Sequence, residues 1–109
     1  MKTPDNIIAE LEAILAEQAG GANALYDAEV KLAKAEDELN RLEALTFIEA
    51  NGSIELRKSI AKIKSADLAL ARDIARAEVN RIKSKIKQLE SAAVIVSVMA
   101  KQIELTYRH

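Results

Sequence analysis

The sequence predicts an all-α protein, an antiparallel, coiled-coil-like helical hairpin that assembles into an oligomeric helical bundle. Half of the 109 residues are hydrophobic but only 3% are aromatic, so Ala, Leu, Ile and Val supply the apolar surface. A single Pro and 30% charged residues complete a composition that is typical of long helices and coiled coils. Apolar residues recur at spacings of three and four on both sides of one short turn signal, which predicts one domain of two helices over residues 1–109.

The first helix is predicted to run from residue 4 to about residue 50. Thr3 is a suitable N-cap, and Pro4 suits the first helical position. An unbroken heptad stripe then predicts the contact face of this helix. The stripe consists of Ile7, Leu11, Ile14, Gln18, Gly21, Leu25, Ala28, Leu32, Ala35, Leu39, Leu42 and Thr46.

The adjacent residues Gly20 and Gly21 allow two interpretations of this helix. Two glycines cost a helix interior about 2 kcal/mol relative to Ala, enough to end a short first helix. The heptad phase nevertheless continues across them, which a loop has no reason to respect. We therefore expect one helix that is softened or kinked at residues 20–21, with a break there as the alternative.

The segment Asn51-Gly52-Ser53 predicts the turn between the helices. Asn or Gly suits the left-handed position that closes a helix, and Ser53 is a natural cap for the next one. The second helix is then expected to run from Ile54 to about Tyr107.

Two sets of contacts are predicted along the second helix, and their phases differ by one residue near residues 74–79. The stripe is therefore expected to slip around the helix there. The early set is Leu56, Ile60, Ile63, Leu70 and Ile74, with Asp67 in the intervening position. The later set is Val79, Ile82, Ile86, Leu89, Ala93, Val96, Ala100, Ile103 and Tyr107.

The two arms have similar lengths, so antiparallel pairing about the turn is expected to place residue i near residue about 104 − i. The most apolar segments of the two arms then meet far from the turn. The apolar residues there point in all directions, and one neighbouring helix cannot cover them. We therefore predict a homodimer or higher oligomer with its interface at this end. The interface residues are Ile7, Ile8, Leu11, Val94, Ile95, Val96 and Val98.

The charge is divided unevenly between the arms. Residues 1–50 carry eleven acidic and four basic side chains, whereas residues 51–109 carry six and twelve. The favoured interpretation is that the basic helix attracts the acidic one, with Asp27, Glu29 and Glu36 as candidate partners. The alternative is phosphate contact with nucleic acid, without base stacking, because no aromatic residue interleaves with the cations. The candidate contact residues are Arg57, Lys58, Arg72, Arg76, Arg81, Lys83, Lys85 and Lys87.

The sequence offers no recognisable catalytic chemistry. The absence of cysteine excludes disulfides, thiolate zinc sites and thiol nucleophiles. His109 is the single histidine, no glycine-rich phosphate loop follows a strand, and no nucleophile–base pair is evident. We expect no enzyme activity, no cofactor and no metal. With neither a signal-peptide core nor a membrane span, a cytoplasmic location without membrane association is expected.

The segment from Phe47 to Arg57 resembles a pattern in small helical proteins of tailed bacteriophages. In that pattern a helix ends in an aromatic or apolar pair, and a turn of the type Gly-Ser/Thr-Val/Ile-x-x-Arg precedes a long charged helix. Gly52, Ser53, Ile54 and Arg57 carry the resemblance. Such proteins tend to be encoded among phage replication and recombination genes. The resemblance implies an accessory protein that acts in the bacterial cytoplasm on DNA-processing or host proteins.

These observations lead to two functional hypotheses. The first is a non-enzymatic interaction or structural protein that binds itself and another, unidentified protein. The second is a nucleic-acid-binding accessory protein that uses the basic second helix.

Overall fold

The computed structural model describes residues 3–107, apart from the side chain of Tyr107, so His109 lies outside the described residues. Helices account for 94% of the described residues, and no strand occurs among them. The predicted all-α class is therefore confirmed. The helices are α1 (Pro4–Glu49), α2 (Ile54–Lys64) and α3 (Ala66–Tyr107).

Helix α1 begins where Thr3 and Pro4 predict a start. The Thr3 hydroxyl accepts a hydrogen bond from the backbone N–H of Asn6 at 3.3 Å, which satisfies one of the free donors of the first turn. The helix then continues through Gly20 and Gly21 without interruption. Of the two interpretations of the glycine pair, the continuous helix is therefore the one that forms.

Residues 50–53 connect α1 to α2 in the conformation that the turn signal predicts. Gly52 has a φ of +113°, in the region that only glycine adopts readily. Ser53 is the N-cap of α2, and its hydroxyl accepts a hydrogen bond from the backbone N–H of Leu56 at 3.2 Å. One residue therefore closes α1 and the next opens α2.

The predicted second helix is divided at Ser65, which the heptad pattern does not predict. The Ser65 hydroxyl donates to the carbonyl oxygen of Ala61 at 2.7 Å, and the residue has a φ of −97° and a ψ of 6°. A serine that bonds back to the carbonyl four residues earlier bends a helix. The backbone bonds from Ser65 to Ala61 and from Ala69 to Ser65 are retained, so a local distortion, not a loop, separates α2 from α3.

Contacts within the chain define two compact units. Unit 1 combines Met1–Leu25 with Arg81–His109, and unit 2 is the continuous segment Tyr26–Asn80. Each unit contains antiparallel helical segments, contributed by the beginning of α1 and the end of α3 in unit 1. In unit 2 the end of α1 packs against α2 and the beginning of α3.

The core of unit 1 follows the predicted stripes. Ile7, Ile82, Leu89 and Val96 are buried, and the other described stripe positions of this unit are buried at least in part. A Cβ atom built on Gly21 would lie 3.2 Å from Cγ1 of Ile86. The helices therefore approach closely at this glycine.

The core of unit 2 corrects the prediction for the second helix. Between Ile54 and Asn80 the buried residues are Ala61, Ser65 and Val79. The predicted early contacts Leu56, Ile63, Leu70 and Ile74 are all more than half exposed. The heptad series of α3 simply continues backwards through residues 75, 72, 68, 65 and 61, so the predicted phase slip is wrong. A stiff helix keeps one face toward its neighbour, and small side chains on that face allow close approach.

The antiparallel register also differs from the pairing expected from the turn. The pairing expected from the turn places Gly21 near residue 83 and Glu43 near residue 61. In the structure, Gly21 lies against Ile86, and Glu43 lies near Ser65. The difference is about one helical turn in each unit. Interdigitation of the heptad residues, not the midpoint of the turn, therefore sets the register.

Candidate interaction surfaces

The predicted oligomer residues of unit 1 fall into two groups when their burial is compared. Ile7 and Val96 are only 2% and 6% exposed because they pack inside the chain, and Leu11 is half-buried. These three residues belong to the core of unit 1. The remaining members are more than half exposed and are available to a partner. They are Ile8, Val94, Ile95 and Val98.

The two exposed valines, Val94 and Val98, lie on one face of α3 together with Leu105. We call these three residues the valine face. Spacings of four and seven residues place these side chains on the same side of α3. They are 64%, 52% and 51% exposed. Lys87 and Lys101 fall on the same side by the same periodicity. Lys87 precedes the valine face, and Lys101 lies between Val98 and Leu105, so this side of α3 carries two cations among apolar residues.

A second apolar surface runs along α2 and α3 in unit 2, where contacts with α1 were predicted. We call it the unit 2 stripe. Its residues repeat at spacings of four and three, and Asp67 is the one polar residue in the series. The heptad pattern alone could therefore have revealed this stripe as a second seam. Four members are between 52% and 76% exposed, and one is half-buried. The stripe consists of Leu56, Ile60, Ile63, Leu70 and Ile74.

Arg57, a candidate contact residue at the turn, is engaged within unit 2. Its Nε donates to the carbonyl oxygen of Phe47 at 2.9 Å, and its guanidinium carbon lies 4.2 Å from the centroid of the Phe47 ring. The carbonyl groups in the last turn of a helix lack partners within that helix, so Arg57 caps α1. The neighbouring Lys58 is exposed.

The arginines of α3 in unit 2 are paired with carboxylates. Arg76 Nη2 lies 3.4 Å from Glu36 Oε1 on α1, which confirms one of the ion pairs expected between the basic and acidic arms. Arg72 is half-buried, and its Nε lies 3.0 Å from Asp73 Oδ1. Both ion pairs reduce the positive charge that unit 2 presents to a phosphate.

Unit 1 retains the other basic candidates at its surface. Lys83, Lys85 and Lys87 are exposed. Their spacing of two residues places Lys83 and Lys87 on one side of α3 and Lys85 on another. Arg81 and Lys85 border a groove of about 280 Å³ whose opposite wall includes Gly20 and Glu17. Gly20 contributes no side chain to this wall.

Unit 2 contains a larger groove of about 440 Å³ beside the turn. Phe47 and Ala61 contribute apolar surface, and Glu43, Lys58 and Lys62 contribute charge. Its lining residues include no Ser, Cys or His. Amphipathic side chains or ions are the ligands that such a lining suits.

Metal binding and membrane insertion find no support in the described residues. Among residues 3–107, no three His, Cys, Asp or Glu side chains are grouped so that they could hold a metal ion. None of the helices in this part of the chain combines the length and the apolar character that crossing a membrane requires.

No protein-family model, curated protein or solved structure matches this chain. A function for this chain therefore has to follow from the chemistry of its own surfaces.

Proposed function

We propose that this protein is a non-enzymatic helical accessory protein that binds another protein through the valine face of unit 1. The observation that carries the proposal is the exposure of Val94, Val98 and Leu105 on one side of α3. Valine has a lower helix propensity than the Ala, Lys and Glu that fill most exposed helix positions. Two valines on an exposed helix face are better explained by binding than by folding.

The chemistry of the valine face suggests the class of partner. Exposed apolar residues along one side of a helix suit an amphipathic helix that packs alongside. Lys87 and Lys101 on the same side favour a partner helix that also carries acidic side chains, because complementary charges orient the encounter. Self-association at this end of the chain, as predicted from the sequence, would use the same exposed side chains together with Ile8 and Ile95.

The resemblance of the turn to tailed-phage proteins supplies the proposed setting. In that setting the protein acts in the bacterial cytoplasm on host or DNA-processing proteins.

The test compares proteins that are retained from cells producing the wild-type chain, Val94→Asp, Val98→Asp or the control Ser97→Asp. Ser97 is exposed and directly precedes Val98 in the chain, so the control introduces the same charge beside the valine face. We expect one partner to be retained by wild type and Ser97→Asp and lost from both valine variants. With the purified partner, a carboxylate buried in an apolar contact should weaken binding about 100-fold or more.

Circular dichroism of each variant separates loss of binding from loss of folding. Because both valines are exposed, their variants should keep the wild-type helix content and melting temperature. A partner that binds all four proteins equally would refute the valine face as the binding site.

A nucleic-acid-binding function is the second candidate, and one observation favours it. Lys83, Lys85 and Lys87 are exposed on unit 1, whereas Arg72 and Arg76 of unit 2 have carboxylate neighbours. The three lysines lie on two sides of the helix, and such exposed cations suit contact with a phosphate backbone and not base readout.

A further inference from the structure

We propose that two copies of this chain pair antiparallel through the unit 2 stripe. The stripe is a heptad seam with one polar position, Asp67, and most of its side chains face away from the intramolecular contacts. Its residues repeat at intervals of four and three from Leu56 to Ile74, a length of about 27 Å along the helix axis. Two such seams on one helix are more than a single intramolecular neighbour can cover.

The spacing of the unit 2 stripe is self-complementary in one antiparallel register. When the two-fold axis passes beside residue 65, Leu56 of one chain meets Ile74 of the other, and Ile60 meets Leu70. Each of these layers joins an a position to a d position, which is the pairing of antiparallel coiled coils. An isologous contact of this kind closes after two copies.

Charge at the centre of the seam supports the same register. Asp67 occupies the one polar seam position and would lie opposite Ile63 of the second copy, one residue from its Lys64. The symmetry axis brings the two Lys64 side chains near each other, and the two Asp67 carboxylates offset their repulsion. A polar residue at one seam position specifies register at a cost in affinity.

The exposed area is sufficient for a weak, specific dimer. Leu56, Ile63, Leu70 and Ile74 are 52%, 76%, 60% and 62% exposed. Pairing them would bury roughly 1,000 Å² in total over both copies, which is the lower limit for a specific interface. We therefore expect dissociation in the micromolar range.

The first test is sedimentation equilibrium of the full chain and its variants. Leu70→Asp should weaken dimerisation about 100-fold and leave helix content unchanged, because Leu70 is exposed in the monomer. Val98→Asp, on the valine face, should leave the dimer intact. Asp67→Leu should tighten it at least tenfold.

The second test concerns the register. Lys64→Glu places four carboxylates around the axis and should dissociate the dimer, whereas the double variant Lys64→Glu/Asp67→Lys should restore it. The chain contains no cysteine, so mixing Leu56→Cys with Ile74→Cys under mild oxidation offers a direct readout. The antiparallel register predicts a mixed disulfide between the two variants.

Several results would overturn this dimer. One is a wild-type chain that remains monomeric at about 100 µM, and another is a dimer that survives Leu70→Asp. A third is exclusive formation of disulfide-linked Leu56→Cys homodimers, because that product indicates parallel pairing. The inference does not rest on the proposed function, because the two surfaces lie in different units. Loss of partner binding in Val98→Asp and loss of the dimer in Leu70→Asp are separate outcomes.

Discussion

Arg57 extends back to the preceding helix, donates its Nε hydrogen to the carbonyl oxygen of Phe47 at 2.9 Å and stacks on the ring of the same residue. This contact explains why a cation lies in the first turn of α2, where the helix dipole disfavours it. Gly52, Ser53 and Arg57 together close α1, open α2 and join the two. The residues that carry the resemblance to phage proteins thus have a structural reason for their spacing.

Replacement of Arg57 should therefore destabilise the fold. Arg57→Ala removes a hydrogen bond from a charged donor and a cation–π contact, and we expect a loss of about 2 kcal/mol in the free energy of unfolding. Arg57→Lys keeps the charge but not the planar fork, so most of the loss should remain. Urea denaturation followed by circular dichroism measures the difference.

Lys58→Ala is the matched control for Arg57, since Lys58 is its exposed neighbour in the same turn. Its unfolding free energy should change by less than about 0.5 kcal/mol. Equal effects of the two alanine variants would show that the capping contact does not stabilise the turn.

The two adjacent glycines of α1 should respond differently to substitution. A Cβ on Gly20 meets nothing within 4 Å, whereas a Cβ on Gly21 lies 3.2 Å from Cγ1 of Ile86. Gly20→Ala should stabilise the protein by about 0.5–1 kcal/mol because it restricts the unfolded chain and favours the helix. In Gly21→Ala the crowding should cancel that gain.

Thermal unfolding of both glycine variants provides the measurement. Gly20→Ala should raise the melting temperature by about 2–8 °C for a chain of this size. A larger increase for Gly21→Ala than for Gly20→Ala would contradict the close approach of the helices at residue 21.

The buried Ser65 leads to a prediction that the heptad pattern alone would reverse. Ser65 occupies a contact position of the heptad series that faces α1, where leucine is usually favourable. Its side chain is nevertheless only 1% exposed and donates a hydrogen bond to the carbonyl oxygen of Ala61. Ser65→Leu should overpack the core of unit 2 and cost about 1–3 kcal/mol. Ser59 makes the same type of bond to the carbonyl of Glu55 while exposed, so Ser59→Leu should cost less than about 0.5 kcal/mol.

Chemical denaturation compares these serine variants at a concentration low enough to keep both monomeric. A neutral or stabilising effect of Ser65→Leu would mean that the distortion between α2 and α3 relaxes to admit the larger side chain.

The heptad pattern predicted α1 well because this helix carries one regular stripe. All twelve of its positions, from Ile7 to Thr46, are buried or half-buried. The second helix carries two stripes in its first half, and periodicity cannot tell which one faces the partner helix. Side-chain size decided the outcome, because small residues such as Ala61 allow closer helix packing than Leu or Ile.

The candidate surfaces were predicted less completely than the fold. The interface residues predicted near the end of the second helix include side chains that the chain itself leaves exposed, such as Val94 and Ile95. The pattern did not separate these residues from Val96, which faces the core. A one-residue change in position turns a side chain by about 100°, so small errors in the contact face reassign a residue from surface to core.

The remaining prediction concerns the basic residues and separates the two functional hypotheses. Arg76 Nη2 lies 3.4 Å from Glu36 Oε1, and Arg72 Nε lies 3.0 Å from Asp73 Oδ1. The charges of both arginines are therefore balanced by carboxylates within unit 2. Exposed pairs of this kind contribute at most about 1 kcal/mol each, but they lower the local potential that attracts phosphates. Nucleic-acid contact would then depend on Lys83, Lys85 and Lys87 of unit 1.

Three phosphate contacts give a slope of log affinity against log salt of about 2 to 3, so binding should weaken about 20- to 40-fold between 50 and 200 mM salt. We therefore expect dissociation constants well above 1 µM at 150 mM salt in a fluorescence anisotropy titration, without sequence preference, because no group is positioned to read base edges. Submicromolar binding at 150 mM salt that is abolished by the triple variant Lys83→Glu/Lys85→Glu/Lys87→Glu, and retained by the control Lys58→Glu, would favour the nucleic-acid function over the protein-binding one.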